Sequence, residues 1–363
     1  MNLKKAAAAC AAVGLTVAGL AIATPAHADP VSDSYVLVGS DTLQDAGNAL
    51  ANGSNISGFS VRTLAGNGSA IGSFDAFGSA AIQTKPGGVH FGRPAGSGEG
   101  VAALSRSIDG QPFTAANNTT PAAVITGQID IARSSSGPGA AQDAAGPLVY
   151  IPFGRDAVSY AYNGTEATLG QLTGAQLRQV YECTLTTING VAVTPLLPQV
   201  GSGTAKFFLG AIGNPTLGSC VVQNVQENDG TVLNAAGKIA PFSVASWVAQ
   251  KNNAAQNRTG TGTFLGSTQG ATAPFTGTGS ALVPNSAFYN NTTWGRDTYV
   301  VVENARIDST SPKYDANLEA LVNRANATSL TNFGSFGTTA GAVKTKFGFL
   351  APSSTTPIRA KLS

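Results

Sequence analysis

The sequence predicts an α/β protein with mainly parallel sheets, and three observations carry that reading. Short β-rich runs alternate with stretches whose apolar residues recur at helical spacing. The joints between them are turns rich in Gly, Ser and Thr. The chain that follows the leader, about 335 of the 363 residues, is too long for one compact core and natural for two.

The leader comes first. Lys4 and Lys5 precede an apolar run from Ala6 to Ala23, and Ala26-His27-Ala28 puts small residues at both recognition positions before Asp29. That is the pattern of a removed export signal over residues 1–28. The alternative is a membrane anchor, for which the Ala- and Gly-rich run barely reaches spanning length. Cys10 lies inside the apolar run rather than after it, so no lipid-modified cysteine is expected. The expected product starts at Asp29 and is secreted, or periplasmic where an outer membrane exists.

The elements then follow in order. Tyr35-Val36-Leu37-Val38 reads as a strand, Gly39-Ser40-Asp41-Thr42 as a turn, and Leu43, Ala46, Ala49 and Leu50 as one helix face. Gly96–Gly100 opens a second helix through Val101 and Leu104. Ile129 and Ile131 alternate into Arg133-Ser134-Ser135-Ser136-Gly137-Pro138. Two strand pieces, Val149–Phe153 and Val158–Tyr162, flank Gly154-Arg155-Asp156. Thr173 and Gln176 stand at capping-box spacing before Leu177, Val180 and Tyr181. Gly201-Ser202-Gly203-Thr204 precedes Phe207, Phe208, Ala211 and Ile212 at helical spacing. Ser243 caps a helix carrying Val244, Trp247 and Val248. Residues 252–295, which carry one charge, Arg258, among many Gly, Thr, Asn and Ser, read as a long surface excursion with little regular structure. Tyr299–Val302 is a strand, and Tyr314, Leu318, Leu321 and Val322 share a helix face.

Charge narrows the function. Without Lys4 and Lys5 the chain has 19 basic and 19 acidic residues, which argues against electrostatic binding of nucleic acid or anionic membrane. Only Cys183 and Cys220 remain after the leader is removed. In an oxidising compartment such a pair is expected to form one disulfide, the alternative being two buried free thiols. Enzyme chemistry finds little support. His90 is the one histidine left after the leader, and its neighbours Val89 and Phe91 suit an ordinary strand or loop. There is no metal-ligand cluster, no P-loop lysine, and Gly66-Asn67-Gly68-Ser69 lacks the third glycine of a dinucleotide fingerprint. No cofactor is expected.

Four turns, Gly39–Thr42, Gly96–Gly100, Arg133–Gly137 and Gly201–Thr204, share one chemistry. Three lead into helices and the third follows a strand. Free N–H groups of a first helical turn and the helix dipole attract anions, glycine permits close approach, and hydroxyls add donors. Converging, they would hold a small oxyanion. Taken singly, each is explained by helix capping.

The ordered set VLVGSDTL (36–43), GSGEGVAAL (96–104), DIARSSSGP (130–138), GRDAVSYAYN (154–163), LTGAQLRQVYEC (172–183), GSGTAKFF (201–208) and PFSVASWVAQ (241–250), with TYVVVEN (298–304) as the return strand, resembles the phosphate-type periplasmic binding proteins of ABC importers. The resemblance implies two α/β lobes joined by two crossings. The first lobe would comprise 29–153 and 297–363, and the second 154–296 with the excursion at 252–295. It implies no catalysis, a monomer, a phosphate ligand and an importer permease as partner. The ligand turns of the family carry over to Ser40, Thr42, Ser97, Ser135, Ser202, Gly203 and Thr204, and the candidate site adds Asp41, Arg133, Ser134 and Gly201 from the same turns. Where the family commonly has an arginine, four residues before the serine matching Ser202, this chain has Pro198. Where some members have an aspartate, it has Ser135. Arg133 is therefore the expected main cation, with Arg93 and Arg155 as substitutes and Asp41 or Asp156 as proton acceptor. The rival reading is a secreted wall-associated or interaction protein on the same fold that has lost its ligand.

Overall fold

The computed structural model describes residues 35–363, so the leader and its cleavage site lie outside the described residues. The first lobe is built on β1 (Tyr35–Gly39), helix α1 (Gln44–Asn52), β2 (Ile71–Ser73), helix α2 (Ser97–Asp109) and β3 (Ile131–Ser134). Here β1 pairs in parallel with both β2 and β3. Alternation along β1 divides its side chains between two cores. Tyr35 and Leu37 pack with Leu50, Leu318 and Val343 on one face. Val36 and Val38 pack with Phe91, Leu104 and Val301 on the other.

The chain then enters β4 (Leu148–Asn163), a strand of 16 residues. The two strand pieces expected from sequence are one continuous strand. Gly154, Arg155 and Asp156 stay paired to a neighbour, so glycine does not end the ladder here. Beyond it come α3 (Gly174–Tyr181), β5 (Thr194–Pro198), α4 (Gly203–Ala211), β6 (Val222–Val225), β7 (Lys238–Ser243) and α5 (Val244–Lys251). β5 pairs in parallel with β6 and β7, while β7 runs antiparallel to β4. The caps form as the sequence suggests. Thr173 and Gln176 make a reciprocal capping box, and Ser243 accepts the Ser246 N–H at 3.1 Å.

The excursion carries only short elements, β8 (Thr263–Leu265), the pair β9 (Phe275–Thr276) and β10 (Val283–Pro284), and a helical turn. It is more than a surface loop, because Leu282, Phe288, Tyr289 and Trp294 enter the second lobe's core with Tyr160, Phe208 and Trp247. β11 (Gly295–Glu303) then returns antiparallel to β4, and it also pairs with β3 of the first lobe. One sheet order, β6-β5-β7-β4-β11-β3-β1-β2, thus runs through both lobes, with β4 and β11 as the two crossings. Helices α6 (Ala316–Val322) and α7 (Ala340–Lys346), and strand β12 (Ile358–Ala360) on β4, complete the first lobe. Lys344 of α7 is buried and donates to the carbonyls of Phe153 and Leu330 at 2.6 and 2.8 Å, holding the crossing strand at its midpoint.

Cys183 and Cys220 are joined, with Cα atoms 5.9 Å apart, and the bond clips the end of α3 to the segment before β6. The double variant Cys183→Ser/Cys220→Ser should lose about 4 kcal/mol in urea denaturation, the chain-entropy value for a loop of this length. A loss below about 1 kcal/mol would show that the second lobe holds this loop without the bond.

Candidate functional site

The polar cluster between the lobes is organised by the two crossing strands. Each carries the triplet Gly-Arg-Asp, at 154–156 and at 295–297. Antiparallel register sets Arg296 opposite Asp156 and Asp297 opposite Arg155. Neighbouring residues on a strand face opposite ways, so the two ion pairs point to opposite sides. Arg155 Nη1 meets Asp297 at 3.0 Å, with its Nε on the Tyr289 carbonyl at 2.8 Å. On the cleft side Arg296 meets Asp156 at 2.8 Å, and both side chains are buried.

Asp156 is fully engaged. It accepts from Arg296, from the Ser243 hydroxyl at 2.9 Å and from the Ala245 N–H at 2.9 Å, at the start of α5. It is therefore an anchor for the guanidinium rather than a free proton acceptor. The same Arg296 Nη2 donates to Thr204 Oγ1 at 2.8 Å and to Thr42 Oγ1 at 3.3 Å. Those hydroxyls lie 3.3 Å apart across the cleft. Thr42 also donates to Glu227 Oε1 at 3.3 Å, and Asn228 donates to Asp41 Oδ2 at 3.0 Å. Three buried atoms of this neighbourhood, Arg296 Nη1, Glu227 Oε2 and Ser40 Oγ, have no hydrogen-bond partner among the described residues.

The other sequence-derived residues gather beside it. Ser97 and Ser135 hydroxyls are 3.1 Å apart, and the Ser135 N–H donates to Ser97 at 2.9 Å. A Cβ on Gly203 would strike both hydroxyls, so only glycine lets α4 approach so closely. Ser202 caps α4 by accepting the Ala205 N–H at 3.0 Å. The Gly201 carbonyl accepts from Gly98 N–H of the first lobe at 3.1 Å. Ser134 turns away and donates to Ser136 O at 2.7 Å.

Arg133 requires a correction. Its guanidinium is buried inside the first lobe, where it donates to the carbonyls of Ser40 and Phe74 and to Ser73 Oγ. It braces the Gly39–Ser40 turn from behind and gives no donor to the second lobe among the described residues. Arg93 is likewise engaged with Asp75 O, Ser79 O and Ser79 Oγ. The cation that touches both lobes is Arg296, which the sequence reading passed over together with Glu227 and Asn228. The repeated Gly-Arg-Asp triplet was the available signal for it.

Two α/β lobes joined by paired crossing strands, with a buried polar cluster between them, define the two-lobed binding-protein fold. No family model and no curated protein matches the chain. Among solved structures it is similar to an ABC-type phosphate transport receptor from Vibrio cholerae, at 14% identity and a TM-score of 0.47 over 88% of this chain and 100% of that one. It is also similar to a DING protein, at 15% identity and a TM-score of 0.48 over 88% and 92%. A third is a putative phosphate ABC transporter substrate-binding protein with bound phosphate from Clostridium perfringens, at 11% identity and a TM-score of 0.46 over 81% and 95%. Among the described residues no helix is long and apolar enough to cross a membrane.

Burial, reinforced by the Glu227 and Asp45 carboxyls, pushes the Asp41 carboxyl up to about 8, although Asn228 and Arg258 pull it down. The folded value lies above the ordinary 3.8, so this group's contribution to stability is full below about pH 4. It is lost as pH rises toward about 8, by up to about 1.4 kcal/mol per pH unit. Asp41→Asn should therefore flatten the decline of the urea midpoint over that window and be more stable than wild type at neutral pH. Equal slopes in the two proteins would contradict the burial of an uncharged Asp41.

Proposed function

We propose that this chain is an exported, non-catalytic receptor that closes two lobes over a small phosphate-like oxyanion. The observation that carries this reading is the double grip of Arg296 Nη2 on Thr42 of one lobe and Thr204 of the other, with three unpartnered buried polar atoms around it. A buried oxyanion needs positive charge or many oriented donors. Arg296, the Thr and Ser hydroxyls, and the N–H groups at the start of α4 supply both. Glu227 Oε2 is an acceptor, so it favours an oxyanion that still carries a proton. Phosphate near neutral pH does, and sulfate does not. A receptor of this kind would hand phosphate to an importer permease.

A second reading has its own support. The hydroxyls of Thr42 and Thr204, and those of Ser97 and Ser135, are already bonded to each other. Three buried carboxyls belong to the cluster, Asp156 on Arg296, Glu227 on Thr42 and Asp41 on Asn228. Such a closed, acid-rich cluster also suits a secreted interaction protein whose lobes are locked together without a ligand.

Calorimetry on phosphate-stripped protein separates the two. The receptor reading expects phosphate to bind near the micromolar range, about 8 kcal/mol, and sulfate at least about tenfold more weakly. Arg296→Lys should weaken phosphate by about tenfold or more, because an ammonium cannot reproduce the fork on two threonines and Asp156. Glu227→Gln should narrow the gap between phosphate and sulfate, and Arg178→Ala on the surface of α3 should change nothing. Absence of heat with either anion would overturn the receptor reading in favour of the locked interaction protein.

A further inference from the structure

The excursion at 252–295 touches the inter-lobe cluster through the Tyr289 carbonyl on Arg155 and the charge of Arg258 near Asp41, and away from these it builds a concave site of its own. With β4 and α5 it encloses a groove of about 880 Å³ on the second lobe, within the size range of small-molecule pockets. Tyr162, Trp247, Phe264, Phe275 and Leu282 give it a largely apolar lining, and Lys251 lines it as well.

The walls are pinned in place. β8 pairs with β4 through Phe264 opposite Tyr162. Asn252, just after α5, uses both atoms of its side-chain amide on the Leu282 backbone, each at 2.8 Å. Ser267 N–H donates to Gly170 O at 2.8 Å. A site held by hydrogen bonds at three places is formed before any ligand arrives, which lowers the ordering cost of binding.

Its chemistry is asymmetric. The Phe264 ring lies 5.8 Å from that of Tyr162 and tilted by 33°. It is 49% exposed although it borders an apolar groove. The Lys251 ammonium rests 5.1 Å above the Trp247 ring. Burial draws its pKa down, and no carboxylate lies within ion-pair distance of it among the described residues. Glu166, the other charged lining residue, is exposed to solvent. A part-buried cation without a counter-charge, beside an open aromatic face, calls for a ligand that brings both an anion and a flat apolar surface.

We propose that this groove is a second binding site, separate from the inter-lobe cleft, for a small amphipathic molecule with a flat apolar body and one anionic group. Two dyes serve as probes, anilinonaphthalene sulfonate and its uncharged analogue phenylnaphthylamine, followed by fluorescence titration of the full mature chain. The expected result is one molecule of either dye per chain. Lys251→Met should weaken the sulfonate at least about tenfold while leaving the uncharged dye within about twofold, and Lys251→Arg should restore the sulfonate. Phe264→Ser, at a half-exposed position, should weaken both dyes. Phe336→Ser, at an 80% exposed ring outside the groove, should weaken neither. Saturating phosphate should leave both titrations unchanged. Failure of both dyes to bind, dye binding that survives Phe264→Ser, or equal weakening of the two dyes by Lys251→Met would each overturn the proposal.

Discussion

The ion pair between Arg296 and Asp156 is the interaction on which the rest of the cleft depends. It lies within the only two strands that cross between the lobes among the described residues, so its geometry is set by main-chain register rather than by flexible loops. Removing two charges from water is costly, and the pair is tolerable because Asp156 also receives Ser243 and the first turn of α5. The Nη2 that meets Asp156 also reaches the two threonines, and Nη1 is left without a hydrogen-bond partner among the described residues. Had Arg296 stood one residue earlier or later, strand alternation would have turned it to the opposite side, where Arg155 and Asp297 meet.

Around this pair the lobes meet through backbone and amide contacts. Gly98 N–H reaches Gly201 O, the Gln199 amide reaches Ala95 O at 3.1 Å, and the Asn117 amide reaches Val200 O at 2.6 Å. Such contacts are directional and exchange readily with water, so they favour a defined closed geometry while allowing the lobes to part. Buried apolar packing also crosses between the lobes, where Ala245 and Ala249 of α5 join a first-lobe cluster. Its three clusters divide between the second lobe and the two faces of the first lobe's sheet.

Much of the architecture was legible because it is local. Ser202 and Ser243 cap the helices that follow them, Thr173 makes its box with Gln176, and the strand and helix starts at 35–50 need only neighbouring residues to be read. The four turns were also legible, and the fold brings Thr42, Ser97, Ser135, Gly203 and Thr204 together. What could not be read from neighbours is which arginine meets them. Arg133 adjoins the serine turn in sequence, but its side chain runs behind the turn to carbonyls of the first lobe. Arg296 is 92 residues from Thr204 and reaches it only through the pairing of the crossing strands. Glu227 and Asn228 come from an ordinary polar turn that only the closed lobes carry to Thr42. The continuity of β4 through Gly154 was hidden for the same reason. Its partner across that stretch is the distant β11, whose Thr298 hydroxyl holds the Gly154 carbonyl at 2.8 Å.

A crystal structure of the mature protein grown with millimolar phosphate tests the central claim most directly. The account predicts a tetrahedral anion between the lobes, within hydrogen-bond distance of Arg296, Thr42 and Thr204 and with one oxygen facing Glu227. A cleft in which Thr42, Thr204 and Arg296 keep their mutual bonds with no anion between them would contradict it, as would phosphate held elsewhere on the surface alone.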